Sequence, residues 1–554
     1  MLRKMHILLP NNRKRIFFLG ICLLNMTWLF LSIKNDMHFF CFNNEFNEHT
    51  RELYLIIKFI WIVSVVVIEH LIYLAFIHRK SIARSYKNMF IINTVLYGFF
   101  FILLFPGNWG GIGDELLIYW AAKNMWIWPQ QGAVSGLIMI WELMFFPATW
   151  MPVLIKVLFT DIVFTRITGK LWNSGKKVAS LLWEVIMFSA VALIYTYNPM
   201  RMWLFTVVLI AFLAEFYFAY SQKSLTKWQK IYMCFLLCMI VCIRTEAKYM
   251  ILWAPIILII LFKHCQNKIP WKLVITLEGA MLLSVVVVSA IFNNIGGNAY
   301  KYRSLSVVSY VCPLSEIFVS DKANLDDLSE EMEAIDAVFP LKDMIDNPSA
   351  IHFWNFKHWI DDYADASQNQ IRKFQQAAFK IFSKNITIFM NTRWQMFEAC
   401  MPKDTIYVAM DIEEIKNWCE NNDETSVNLY KDFDFKNPMR METASLLGGK
   451  IFKELEVRKI IYSFVIPLIF LAVSFGIACY KKRVEIILII MTAGAEFILM
   501  YLLIPSAAYM YYVPYYMLGW GIMAGVADRI IYELKRMMLT ASNITKEENK
   551  NCKS

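Results

Sequence analysis

The sequence predicts an all-α polytopic membrane protein with about 12 transmembrane helices and one large, mostly helical extracytoplasmic domain. Hydrophobic residues make up 58% of its 554 residues and charged residues only 18%, well away from the composition of soluble domains. Apolar runs of span length recur from Ile16 almost to Val526. Basic residues concentrate in alternate short connections between these runs. Together, these observations exclude a soluble globular fold.

The first apolar run, Ile16 to Ile33, follows five basic residues and could be mistaken for a secretory signal peptide. No cleavage site of small residues follows it, because Asn35 and Asp36 stand there. We therefore predict an uncleaved first span. The predicted spans are 16–33, 53–77, 89–105, one net crossing within 133–165, 179–197, 203–220, 230–243, 249–262, 272–292, 460–479, 484–504 and 507–527.

The stretch 133–165 is the weakest point of this topology, because Pro147 and Pro152 interrupt it. It is too long for one helix and barely long enough for two, so we expect a re-entrant piece followed by a span. Two full crossings would invert everything downstream. The chain then divides into a transmembrane domain over 1–292 with an acidic outward loop at 106–131, an extracytoplasmic domain over 293–458, transmembrane helices over 459–527 and a tail over 528–554.

Charge fixes the predicted orientation. The connections on one side are all basic, which places them and both termini in the cytoplasm of a multi-pass cell-membrane protein. The formal net charge of +10 arises mainly in these short loops, so lipid head groups explain it better than nucleic acid. The outward loop 293–458 has 26 acidic and 18 basic residues and is long enough for a small domain. Within it, Asp326–Val338 and Gln370–Phe389 show helical patterns.

Paired carboxylates stand in the acidic outward loop, which reads PGNWGGIGDELLIYWAAKNMWIW from Pro106 to Trp128. An aspartate such as Asp114, partly removed from water, has a raised pKa and can act as a base toward a hydroxyl. A simpler alternative is that Asp114 caps the following helix, with Glu115 in its first turn. The tryptophans after the pair predict that this helix lies at the membrane interface.

Three cations occupy the two shortest outward turns, NPMR and RTEAK, where basic residues are usually scarce. They are Arg201, Arg244 and Lys248, and an anionic lipid phosphate at this depth would account for all of them. The alternative is ordinary pairing with Glu246 or with head groups.

Deeper ionisable residues include Lys156, Asp161 and Glu496, of which the first two are a candidate structural pair. The tyrosines at 509, 511, 512, 515 and 516 predict an interfacial belt, although they could instead line a sugar-binding cleft. No metal-ligand or nucleotide-binding motif occurs in the sequence.

The segments GDELLIYWAAKNM and IRTEAKYM resemble motifs of the GT-C class of integral membrane glycosyltransferases, which use polyprenyl-phosphate-linked sugar donors. The first is similar to their Asp-Glu motif and interfacial helix, and the second to an arginine-containing turn. The likeness is best over roughly 90–300. The chain departs from that class in having WPQQGAVSG where a histidine-proline pair often stands, and in placing its large domain before the last three spans.

The resemblance implies transfer of a hexosyl or pentosyl group to an extracytoplasmic glycan, lipid or protein acceptor in the cell envelope. Asp114 would be the general base and Glu115 a second acid or a metal ligand. Arg201, Arg244 and Lys248 would bind the donor phosphate. A divalent cation, Mg or Mn, could assist, although the sequence does not require one and assigns no metal site.

Two other functions remain open at this stage. A polysaccharide polymerase or ligase would shift the chemistry to Arg244, Arg303, Arg393 and His352. A non-enzymatic lipid or glycolipid transporter would depend most on Lys156, Asp161 and Glu496, but the sequence shows no repeated halves.

Overall fold

The computed structural model describes residues 11–110, 114–129, 132–297, 306–353, 356, 366–401, 409–422, 429–450 and 457–551. These residues form helices joined by short connections, and none of them belongs to a β-sheet. His352 and Ser506 make an isolated β-bridge. The helices before the large loop are α1 (Asn11–Phe39), α2 (Thr50–Ile77), α3 (Arg84–Leu104), α4 (Asp114–Lys123), α5 (Ala133–Leu143), α6 (Trp150–Asn173), α7 (Lys177–Met187), α8 (Ala190–Thr196), α9 (Arg201–Gln222), α10 (Lys227–Ile243), α11 (Met250–Gln266) and α12 (Trp271–Asn294).

The remaining helices belong to the large loop and to the end of the chain. They are α13 (Val308–Phe318), α14 (Ser329–Asp336), α15 (Leu341–Asp346), α16 (Gln368–Lys384), α17 (Ile386–Ala399), α18 (Ile412–Asn422), α19 (Pro438–Leu447), α20 (Val457–Tyr462), α21 (Val465–Tyr480), α22 (Val484–Leu503) and α23 (Val513–Asn551). Short 3₁₀ helices, including Glu246–Tyr249 and Tyr509–Tyr512, precede α11 and α23.

Among the described residues, six helices are long and apolar enough to cross a membrane. They are Thr50–Lys80, Arg84–Leu104, Arg201–Gln222, Glu246–Gln266, Trp271–Asn294 and Val484–Leu503. Helices α7 and α8 would add a seventh span if the pair, bent by 59°, crosses as one. The bend falls at Ser189, whose hydroxyl accepts a hydrogen bond from the amide of Ala192 and so starts a new helix.

The interrupted stretch 133–165 forms two helices of unequal length. Helix α5 has 11 residues and α6 has 24, so at 1.5 Å per residue only α6 has the length to cross a hydrocarbon core of about 30 Å. This is the pattern that a short piece followed by a span predicts.

Helix α9 is the centre of the bundle, with 83% of its apolar window buried against α6, α10, α11, α22 and α23. Helices α2 and α12 lie at the periphery, where only 22% and 17% of their windows are buried. Large apolar side chains on them are open to the surroundings, among them Phe59 at 67% and Leu283 at 62% exposure. Lipid explains such a surface, because a soluble protein rarely exposes large contiguous apolar patches.

The loop 293–458 is mostly helical where it is described, as its sequence predicts. One expectation was wrong in detail: the pattern over 370–389 does not form one helix, because α16 ends at Lys384. The side chain of Asn385 accepts a hydrogen bond from the amide of Asn324 at 2.7 Å and donates one to its carbonyl at 3.0 Å. These contacts turn Asn385 out of helical geometry and separate α16 from α17.

Candidate functional site

The loop before α4 is shaped by close packing at two glycines. Gly107 has φ +126°, and a Cβ there would lie 2.6 Å from a methyl group of Val153 and 2.9 Å from the carbonyl oxygen of Tyr197. Gly110 has φ +83° and would meet Met410 at 2.8 Å. Only glycine tolerates both the conformation and the contact. The loop before α4 therefore packs closely against the helix bundle on one side and against Met410 of the loop 293–458 (the large loop) on the other.

Two asparagines connect this loop to the turn before α9. The amide of Asn108 donates to the carbonyl of Tyr197 at 2.8 Å. The side chain of Asn198 donates to the carbonyl of Asn108 at 2.9 Å and to the carboxylate of Glu115 at 2.6 Å. The acidic loop and the NPMR turn are therefore held against each other, with Glu115 completely buried between them. This position favours a structural role for Glu115 over that of a second acid or metal ligand.

Asp114 is the first residue of α4. It is partly exposed, whereas Glu115 is buried. Burial, together with the charge of Glu115, raises the pKa of Asp114 to about 7, and the charge of Arg201 opposes this rise. A carboxylate with this pKa can accept a proton near neutral pH. Capping of α4 remains compatible with this position.

Arg244 is 1% exposed and follows α10. Its Nε donates to Glu246 at 3.2 Å, which is the pairing that the simpler interpretation of the turn predicts. Its other two nitrogens donate to the sulfur atoms of Met202 and Met500, each at 3.0 Å. Thioether sulfur is a weak acceptor, so the bond to Glu246 is the strongest of these three.

Arg201 adds a second, similarly under-used guanidinium. Its Nε has no hydrogen-bond partner among the described residues, and its Nη1 reaches the carbonyl of Ile243 only at 3.5 Å. The charge of Arg201 acts on both Arg244 and Asp114, and the ring of Tyr511 lies 5.4 Å from the guanidinium carbon of Arg244. Two neighbouring arginines, one with an unpartnered Nε and the other with two nitrogens bonded only to thioether sulfur, fit an anion that accepts several hydrogen bonds, such as a phosphate.

Lys248 does not join this group. Although it belongs to the same 3₁₀ turn as Glu246, its side chain is exposed, whereas Arg244 is turned inward. Its charge acts on Cys242 of α10. Of the three cations predicted to meet one phosphate, Arg201 and Arg244 are therefore neighbours, and Lys248 is separate from them.

Two further expectations were wrong. The tyrosines do not form an interfacial belt, because Tyr512 and Tyr515 are at most 1% exposed and Tyr509 and Tyr516 are also buried. Lys156 and Asp161 do not pair: Lys156 donates to main-chain carbonyls of the NPMR turn, and Asp161 accepts from Thr94 at 2.6 Å. Residues five apart on a helix face different directions, which explains the separation.

The large loop covers α4 directly. Asp432 accepts hydrogen bonds from Lys123 at 2.5 Å and Tyr119 at 3.1 Å, and Arg440 donates to the carbonyl of Gly107 at 2.9 Å. Trp126 is 2% exposed and stacks on Phe46. Helix α4 is therefore enclosed by protein and does not lie on lipid as the tryptophans predicted.

Sequence reasoning missed two residues that shape this site and assigned two others a different part. Asn108 and Asn198 were missed; they stand within two residues of Pro106 and Pro199 in the two outward turns, a weak signal that such turns are ordered. Glu496 was named only as a deep charge of a possible transporter, but it is 1% exposed and lies within electrostatic reach of Arg244. Glu246 was noted only as a possible partner of the cations.

The residues that a polymerase or ligase would use are placed differently. Arg393 is buried and donates to the carbonyl of Ile504 at 2.7 Å and to that of Ser309, so its guanidinium has main-chain partners. His352 takes part in the β-bridge to Ser506, and Arg303 lies outside the described residues. No group of three or more metal-ligating side chains suited to an ion occurs within the described ranges.

Comparison of the chain with family models, with curated proteins and with solved structures gives no match.

Proposed function

We propose that this protein is a membrane glycosyltransferase that moves a sugar from a polyprenyl-phosphate donor to an extracytoplasmic glycan, lipid or protein acceptor. One observation carries the proposal: Asp114, a carboxylate with a pKa near neutrality, is within electrostatic reach of Arg201, which has an unpartnered Nε and is itself within electrostatic reach of Arg244. This arrangement supports a base and a phosphate site that lie close together, as such a reaction needs. The resemblance of GDELLIYWAAKNM and IRTEAKYM to GT-C motifs supports the same reaction.

The proposal includes a topology of about 12 spans, with the loop 293–458 outside the cell membrane and both termini in the cytoplasm. Every predicted span coincides with helix in the described residues, although some spans, such as 179–197 and 460–479, are broken. Asp114 lies at the end of the bundle that the large loop covers. The basic connections at the opposite end support a cytoplasmic position for that end.

The proposed reaction is a single displacement. The acceptor hydroxyl gives its proton to Asp114 while its oxygen forms a bond to the anomeric carbon. The bond from that carbon to the phosphate oxygen breaks on the opposite face, its electron pair leaves with polyprenyl phosphate, and the configuration inverts. Arg201 and Arg244 stabilise the charge that develops on the leaving phosphate. A divalent cation, Mg or Mn, would assist by neutralising charge on the same phosphate.

The pKa of Asp114 sets the expected pH dependence. Asp114 accepts a proton only when it is ionised, so transfer should rise with pH, with a midpoint of about 7, and level off above it. Purified protein in lipid nanodiscs, supplied with a panel of undecaprenyl-phosphate-linked hexoses and pentoses and with envelope fractions as acceptor, provides the measurement. Inverted product from one donor with this profile supports the proposal.

Two outcomes would contradict it. Movement of undecaprenyl phosphate between leaflets of proteoliposomes without any transfer would point to the transporter. Transfer that retains the anomeric configuration would exclude a single displacement.

A further inference from the structure

The turn Asn198–Met202, whose last two residues begin α9, connects both halves of the proposed site. Its last residues include Arg201, and its first residue, Asn198, donates to Glu115 in the first turn of α4, next to Asp114. The side-chain oxygen of Asn198 also accepts from the amide of Met200 at 2.8 Å, which closes the turn. The position of this one turn therefore determines how far the carboxylate of Asp114 lies from the guanidinium of Arg201.

Packing alone does not hold the Asn198–Met202 turn in place, because a cavity adjoins it. A cavity of about 20 Å³, the room for about one water molecule, adjoins Pro199, Arg201 and Lys156. Ser135 and Glu142 of α5 line its other side. A turn that borders a cavity can shift into it unless hydrogen bonds hold the backbone.

Lys156 of α6 supplies those hydrogen bonds. It is 4% exposed, and its ammonium group donates to the carbonyl of Asn198 and, at 2.5 Å, to the carbonyl of Met200. Its charge also acts on Glu142 and Glu115. A buried ammonium is costly unless it is paired and hydrogen-bonded, and here both carbonyl partners belong to the turn that carries Arg201.

We propose that Lys156 is a positioning residue for the proposed glycosyl transfer: it braces the Asn198–Met202 turn and thereby holds Arg201 and Asp114 at a fixed separation for the donor phosphate. The proposal rests on the proposed function. It gives a role to a buried lysine that would otherwise mark a transport path. Lys156 acts on the proposed site through this turn, because two of its three N–H groups donate to main-chain carbonyls of the turn.

The test compares three variants in nanodiscs with undecaprenyl phosphate and undecaprenol as probes. Lys156→Met removes the donors at similar volume, and we expect about tenfold weaker binding of undecaprenyl phosphate with unchanged binding of undecaprenol. Lys156→Gln keeps an amide donor and should restore most of the affinity. Thr165→Val is the matched control, because Thr165 is buried on the same helix and donates to Asp161 at 3.0 Å, away from the turn.

Hydrogen exchange provides a readout that is independent of the ligand. In Lys156→Met, the amides of 107–110 and those of Asn198, Met200 and Arg201 should exchange faster than in the wild type, whereas Thr165→Val should leave them protected. Unchanged exchange and unchanged phosphate affinity in Lys156→Met would overturn the brace. A wild-type protein that binds both probes equally would overturn the proposed function instead, and faster exchange in the variant would then still establish Lys156 as a brace of the turn.

Discussion

Replacing Asp114 with asparagine is expected to lower kcat for sugar transfer by about 10³-fold. Asparagine has nearly the same shape and can still cap α4, but it cannot accept the acceptor's proton. The donor phosphate contacts Arg201 and Arg244 in the proposed site, so binding of undecaprenyl phosphate should persist. The measurements are the transfer rate and the affinity for undecaprenyl phosphate, each related to the amount of folded protein.

The matched control for this prediction is Glu52→Gln. Glu52 is a carboxylate in the first turn of α2 whose side chain is 60% exposed, so its loss should not change transfer. If Asp114→Asn transfers sugar at the wild-type rate, Asp114 is not the base. The polymerase or ligase interpretation, with its arginine and histidine chemistry, would then become the better one.

Replacing Arg244 with glutamine is expected to weaken binding of undecaprenyl phosphate by about 30- to 150-fold, which corresponds to about 2 to 3 kcal/mol for lost charge-assisted hydrogen bonds. Binding of undecaprenol should change little, because only the phosphate meets the guanidinium. The variant also removes the cation near both Glu246 and Glu496, which is expected to lower the stability of the fold. The thermal unfolding temperature of the variant must therefore be measured together with its affinity.

Lys248→Gln is the control within the same turn, since it removes an exposed cation and should leave affinity within about twofold. If Arg244→Gln does not fold, Arg201→Gln tests the same phosphate contact from α9. Equal losses of affinity in Arg244→Gln and Lys248→Gln would show that any lost positive charge weakens phosphate binding. That result would contradict a specific phosphate contact at Arg244.

The helices could be predicted because their signal is local. A backbone inside a membrane has no water to hydrogen-bond, so an apolar run of span length must form a helix. The runs 203–220 and 272–292 accordingly predicted α9 and α12 within a few residues. The break at Asn385 could not be predicted, because it depends on Asn324, which lies 61 residues earlier in the chain. The count of crossings is likewise not decided by helix positions alone.

The site could be predicted only as a set of unusual residues. Acids and cations in short outward turns identified Asp114, Arg201 and Arg244, but the sequence does not state which way each side chain turns, and Lys248 faces outward. The tyrosines at 509–516 were predicted to be an interfacial belt because burial by a distant segment leaves no pattern in the local sequence. The ring centroid of Phe464, for example, lies 4.9 Å from that of Tyr512. The contacts of Lys156 with residues more than 40 positions away were hidden for the same reason.

The position of bound undecaprenyl phosphate, determined by cryo-electron microscopy of the protein in nanodiscs, tests the central claim most directly. The account predicts a phosphate within about 3 Å of the guanidinium groups of Arg201 and Arg244, next to Asp114. A phosphate bound at the opposite end of the bundle, for example beside Arg166 and Lys170 where they pair with Glu215, would contradict it.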